Sequence, residues 1–97
     1  AKMRLDAAEL MIRKASWMLD SGLPCGAEAN MAKWLAADAC FFAADRAMQT
    51  HGGFGYASEY HVDRYWREAR LQKIAPISQE MIQNYVAEHV LELPRSY

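Results

Sequence analysis

The sequence predicts an all-α fold, one antiparallel helical bundle of three to four helices, and three observations carry that expectation. Apolar residues recur at spacings of three and four, no stretch shows the two-residue alternation of a half-buried strand, and glycine or proline stands where each periodic run ends. No internal repeat or low-complexity segment interrupts this plan. The 97 residues suit one domain, 1–97, and a chain of this size buries only about 60 to 65% of the surface it exposes when unfolded. With 53% hydrophobic residues against that limit, packing onto a partner is expected.

The first helix is drawn by Leu5, Ala8, Ile12, Ala15 and Leu19, which share one stripe that Met11 and Met18 widen. Gly22 can adopt the left-handed conformation that closes a helix and Pro24 cannot continue one, so this helix should stop near Ser21. Its periodicity already runs from Ala1 with no Ser, Thr, Asp or Asn cap ahead of it, which predicts that the chain is the C-terminal part of something longer.

A second helix follows from Glu28 to about Thr50. Met31, Trp34, Phe41 and Met48 form one face and Leu35, Ala39 and Phe42 an adjacent one, so it should be central, and the short Ser21-to-Ala27 connection makes it antiparallel to the first. A third helix should begin at Ser58 or Tyr60 and carry Val62, Tyr65, Trp66, Ala69 and Leu71. Ile74-Ala75-Pro76-Ile77 breaks it. Ser78 is then an N-cap candidate with Glu80 near the positive end of the dipole, and a fourth helix through Met81, Ile82, Tyr85, Val86 and Val90 should end near Leu91.

Eleven Lys and Arg against twelve Asp and Glu leave a formal charge of −1, which provides no field for nucleic acid or an anionic membrane. No segment reaches about 18 uninterrupted apolar residues and no signal peptide is visible, so no membrane span is expected. Cys25 and Cys40 fit no zinc or CxxC spacing and read as thiols of a reducing compartment, which points to the cytoplasm; Cys40, in an apolar helical run, is expected to be a small buried hydrophobe. His51, His61 and His89 fall at three separate places, so no metal site is expected. No serine stands in a nucleophile elbow and neither cysteine has a nearby base, which leaves acyl or phosphoryl transfer unsupported. Asp38 and Asp45 share a face with Trp34 and Phe41, where a buried carboxylate requires an arginine or hydroxyl partner.

The stretch "MQTHGGFGYASEYHVDRYWREAR", Met48 to Arg70, stands apart from the helix formers around it. Paired glycines let a backbone approach a ligand or another chain, and amides in such a turn can converge on a phosphate; equally, they terminate a helix at a tight corner. Arg64, Arg67, Arg70 and Lys73 recur every three residues as a basic strip able to meet phosphates, although Asp63 and Glu68 are placed to pair with them as a solvated face.

Together with its surroundings, this stretch resembles the C-terminal domain of the acyl-CoA dehydrogenases. The likeness rests on Gln49 three before Gly52-Gly53, then Gly55-Tyr56, Glu59-Tyr60, Val62, and Arg67-Glu68-Ala69-Arg70 followed by Ile74. Upstream, "AKWLAADA" (Ala32 to Ala39) resembles the helix leading into that motif, and "LDSG" (Leu19 to Gly22) the preceding helix end. The resemblance covers nearly the whole chain and implies the last three to four helices of the family's C-terminal bundle, which follows an N-terminal helical domain and a middle β domain.

Members of that family are FAD-dependent oxidoreductases that desaturate acyl-CoA thioesters between the α and β carbons, pass electrons to an acceptor and usually assemble as tetramers. The resemblance therefore implies acyl-CoA substrate, an electron-transfer acceptor and a homo-oligomer, dimer or tetramer, for the parent protein. It implies that Gln49, Thr50, His51, Gly52 and Gly53 contact FAD bound mainly by a neighbouring subunit. Ser78, Gln79 and Glu80 fall where the family has a flavin-touching Thr-x-Gln segment, with Glu80 replacing an amide by a carboxylate. Many members carry their catalytic glutamate two residues before that Thr. Here the position is Pro76, so no catalytic residue is assigned: the base lies upstream of Ala1, or the chain is a non-enzymatic helical oligomerisation module derived from the family.

Overall fold

The structure is a computed structural model that describes residues 1–96. Its elements are α1 (Lys2–Asp20), α2 (Gly26–His51), the single turn α3 (Gly53–Tyr56), a 3-10 turn (Ser58–Tyr60), α4 (Val62–Leu71) and α5 (Gln79–His89). Among the described residues there is no strand.

α1 ends as its sequence requires. Gly22 takes φ 71°, its N–H donates to the Leu19 carbonyl, and the Leu23 N–H donates to that of Met18. This double bond pattern satisfies the last carbonyls of the helix and turns the chain back. α2 then runs antiparallel to α1 and is the hub, packing against α1, α3, α4 and α5. The core residues are small: Ala8, Ala32, Ala37, Ala39 and Ala69 are buried with Val62 and Ile82. Alanines at the crossings let the helices approach closely. Most large apolar side chains are left nearer the surface.

Polar contacts fix how the C-terminal half lies on α2. Asp38 accepts from Arg4 Nη1 at 2.9 Å and from Lys73 Nζ at 3.1 Å, joining α1, α2 and the segment after α4. Lys33 Nζ donates to the carbonyls of Gln72 and Ile77 at 2.6 Å each, clamping both ends of the α4–α5 connection. Asp45 accepts from the Trp66 indole N–H at 3.2 Å, while the Trp66 ring packs on Phe41 at 5.6 Å between centroids. The carboxylates expected to need partners thus have them, with an indole in place of a hydroxyl. Arg46 and then Trp66 hold the Asp45 carboxyl below its usual range, and Lys14 does the same for Glu28.

Four expectations are corrected. The third helix does not begin at Ser58 or Tyr60: Ser58–Tyr60 is a 3-10 turn, His61 then takes φ 61°, and α4 starts at Val62. Phe54 and Tyr60 meet at 5.2 Å, folding this turn back on α3, and a regular helix resumes where buried Val62 reaches the core. Cys40 is exposed. Seven residues after Lys33, it shares that side chain's stripe and lines a shallow recess with Lys33, Ala36, Ala37 and Gln72. Among the described residues no ion pair joins Asp63 or Glu68 to the arginines of α4. Nor is the basic strip continuous, since Arg70 lies over Phe41 at 5.8 Å and Lys73 reaches Asp38. α2 begins at Gly26 and α5 ends at His89, each about two residues from its expected limit.

Candidate functional site

The first group of candidate residues closes α2. Thr50 Oγ1 donates to the Arg46 carbonyl at 2.8 Å, and His51 Nδ1 lies 2.8 Å from that of Ala47. A proton on Nδ1 completes this second bond and leaves Nε2 directed away from the helix end. Both side chains therefore fold back on the last turn of the helix. Gln49 is exposed and makes no side-chain hydrogen bond among the described residues.

Three glycines then serve three different needs. Gly52 adopts φ 60°, ψ −138°, a conformation that strains any residue with a Cβ. Gly55 is buried, and a Cβ there would stand 2.6 Å from the Met48 carbonyl oxygen and 3.1 Å from His51 Cβ. Gly53 is exposed and helical, and a Cβ on it would meet nothing within 4 Å. Neither conformation nor internal packing requires glycine at 53, so the main chain is bare there towards the outside. Gly53 and Phe54 open α3, where a helix leaves its first N–H groups without intrahelical acceptors. The signal for Gly55 was present as the third glycine of the motif, but only the fold shows it to be the close-packed one.

The second group opens α5. Ser78 Oγ accepts the Met81 N–H at 3.3 Å and caps the helix as expected. Gln79 is buried, and its Nε2 donates to the Trp34 carbonyl at 3.4 Å. Glu80 is exposed on the first turn. Before them, Pro76 is exposed, follows Ala75 through a cis peptide bond, and supplies neither a carboxylate nor an N–H. Gln79 meets α2 at Trp34, fifteen residues before Gln49, which at 1.5 Å per residue is about 22 Å. The structure thus does not bring the two groups together within one chain. Sequence reasoning missed Lys33, whose two carbonyl acceptors exist only once the α4–α5 connection has been laid across α2.

Between α2 and α5 runs an apolar groove of about 410 Å³ lined by Met31, Trp34, Leu35, Ile82, Val86 and Leu91. Among the described residues no group of three or more His, Cys, Asp or Glu is placed to hold a metal ion. Among them, too, no helix is long and apolar enough to cross a membrane.

Residues 1–91 match the family model of the acyl-CoA dehydrogenase C-terminal domain. The chain belongs to the acyl-CoA dehydrogenase family. It is 47% identical over 97 residues to acyl-CoA dehydrogenase FadE12 of Mycobacterium tuberculosis (strain ATCC 25618 / H37Rv), covering 98% of this chain and 25% of that protein. The probable acyl-CoA dehydrogenase YngJ of Bacillus subtilis (strain 168) is 37% identical over 90 residues, covering 93% of this chain and 24% of its own. A 3-(aryl)acrylate reductase of Clostridium sporogenes (strain ATCC 15579) is 34% identical over 89 residues, covering 92% and 24%. This acyl-CoA dehydrogenase domain thus spans about a quarter of the length of these curated relatives. Among solved structures, a chain from work on the electron transferring flavoprotein of Acidaminococcus fermentans superposes with a TM-score of 0.87 at 27% identity, covering 93% of this chain and 24% of that one.

Proposed function

We propose that this domain supplies FAD contacts across a subunit interface, together with oligomer packing, in a longer acyl-CoA dehydrogenase of fatty acid metabolism that acts in the cytoplasm. One observation carries the reading: Gly53 is bare, exposed and required by nothing inside the chain. A cofactor lying against it would have the amides of Gly53 and Phe54, the Gln49 side-chain amide and His51 Nε2 within one corner. That donor and acceptor set fits the phosphates and sugar hydroxyls of a dinucleotide. FAD, when bound, would accept the hydride from the β carbon of the acyl-CoA.

The rest concerns this chain's own residues. The corner binds and orients; Gly52 sets its backbone and Gly55 seats it on α2. Ser78 and Glu80 present a hydroxyl and a carboxylate at the start of α5, while Gln79 holds that start on α2. Because the two groups lie about 22 Å apart along α2, they serve separate parts of the cofactor layer, and a homo-oligomer, dimer or tetramer, would let one chain serve two cofactors. No residue here removes the α proton, since Pro76 occupies the glutamate position. The base is assigned upstream, and electrons leave to an external acceptor protein.

The experiment is to purify the parent protein and the isolated 97-residue chain and record flavin absorbance and acyl-CoA-dependent dye reduction. The parent should carry about one FAD per subunit and turn over, and the chain alone should do neither; stoichiometric flavin on the isolated chain, or a colourless parent, would overturn the reading. Pro76 favours one alternative, a non-enzymatic oligomerisation module. A parent that assembles without flavin and lacks both a β domain and an upstream helix carrying a glutamate placed to face a flavin would establish it.

A further inference from the structure

α2 receives the connection between α4 and α5 at one point. Lys33 Nζ donates to the carbonyls of Gln72 and Ile77, and so holds their oxygens within twice 2.6 Å of each other. The next residue on α2, Trp34, offers its own carbonyl to Gln79 Nε2 at 3.4 Å. Inside the connection the Lys73 carbonyl accepts the Gln79 N–H at 3.2 Å, which closes it into a loop. Apolar packing contributes little here: Ile74 and Ile77 are 56% and 49% exposed, and Pro76 is exposed as well. A half-buried ammonium shared by two carbonyls is a charge-assisted tie, stronger than a neutral hydrogen bond.

The bond to Ile77 also sets a direction. The peptide between Ile77 and Ser78 is trans, and a trans peptide is planar with its C=O and N–H pointing opposite ways. Pinning the Ile77 carbonyl to α2 therefore turns the Ser78 N–H away from α2. That N–H has no main-chain acceptor among the described residues. Ser78 Oγ accepts the Met81 N–H, and its own proton is left to donate. Lys33 thus decides which way the donors of Ser78 face, while its own printed bonds go to two other residues.

We propose that Lys33 is a positioning residue: its ammonium fixes the peptide between Ile77 and Ser78 and so sets the serine against the cofactor. This role rests on Ser78 meeting FAD, as proposed for the parent protein, and Lys33 acts only through it. Held by two carbonyls, the ammonium keeps the start of α5 in one place before any ligand arrives, so binding FAD has less chain to order.

Titration of the flavin-free parent protein with FAD, followed by quenching of flavin fluorescence, tests this. Lys33→Met keeps an arm of similar length without donors, and should raise the dissociation constant about tenfold. Lys33→Arg, which keeps N–H donors on a charged group, should return it to within about threefold of the original. Asp38→Ala loosens the same connection by releasing Lys73 but leaves the Ile77 carbonyl held, so its affinity should stay within about threefold. Ser78→Ala should weaken binding about fivefold alone and less than about twofold when added to Lys33→Met, because the two act through one contact. If Lys33→Met does not fold, Lys33→Gln takes its place with the same expectations. Lys33→Met binding FAD as tightly as the original, or Lys33→Met and Asp38→Ala losing equally, overturns the role of Lys33 and leaves the cofactor reading standing. Losses from Ser78→Ala and Lys33→Met that simply multiply also overturn it. A parent protein that binds no FAD overturns both.

Discussion

Gly55 rests on the main chain of Met48. A Cβ at 55 would lie 2.6 Å from the Met48 carbonyl oxygen and 3.1 Å from its Cα, while two residues earlier a Cβ on Gly53 would meet nothing within 4 Å. Two glycines of one corner therefore have opposite reasons for being glycine. Gly55→Ala must displace backbone and is expected to cost about 2 kcal/mol or more. Gly53→Ala, in unobstructed helix, is expected to leave stability unchanged or raise it by up to about 1 kcal/mol. Urea unfolding of the two variants side by side checks this. Equal losses would mean that Gly53 answers to an internal constraint, and its exposure would no longer mark a contact surface.

Asp38 ties three segments together through Arg4 and Lys73, and both it and Lys73 are largely shielded, with side chains 28% and 22% exposed. Removing it leaves two cations facing each other without their acceptor. Asp38→Ala is expected to cost about 1 to 2 kcal/mol, more than an exposed surface pair contributes. The loss should shrink in high salt, which screens the repulsion between Arg4 and Lys73. A variant as stable as the parent at low salt would show that the cluster contributes nothing to holding α4 on α2.

Acid should act through Asp45. Its carboxyl is held below the usual range by Arg46 and then by the Trp66 indole, so the folded state binds this proton later than the unfolded one. A depressed pKa means that the contribution is complete above the unfolded value, near about 4, and is lost as pH falls through the lowered one. Glu28, lowered by its hydrogen bond from Lys14, adds with the same sign. Thermal midpoints should therefore be flat above about pH 5 and fall below about pH 4. Asp45→Asn should shallow that acid limb. An unaltered acid limb in this variant would rule out Asp45 as its source.

Ser78 satisfies the Met81 N–H at the start of α5. Ser78→Ala should cost about 1 kcal/mol, and Ser78→Asp, which keeps an acceptor at the helix N-terminus, should recover most of it. Guanidinium midpoints of the pair distinguish a cap from a packing role: equal loss in both variants would indicate packing.

Features decided within a few residues were legible in the sequence. Gly22 ends α1 and Ser78 opens α5 because both depend on backbone groups two to four positions away. What depends on distant elements was not legible. Cys40 is exposed because α1 and α4 flank α2 without covering its stripe, and His61 breaks the third helix because Phe54 draws Tyr60 back. The candidate site divides the same way. Its residues were named through family resemblance, but their separation into two groups follows from where α5 crosses α2, at Trp34, which no local pattern reports.

The decisive comparison is FAD affinity of the parent protein with and without Gly53→Ala, titrated by quenching of flavin fluorescence, with the thermal midpoint of the flavin-free protein recorded beside it. A methyl group at 53 blocks the approach of a ligand and nothing inside the fold. The expected result is a dissociation constant raised at least about tenfold, roughly 1.4 kcal/mol, at an unchanged midpoint. Unchanged affinity would show that no cofactor lies against this corner.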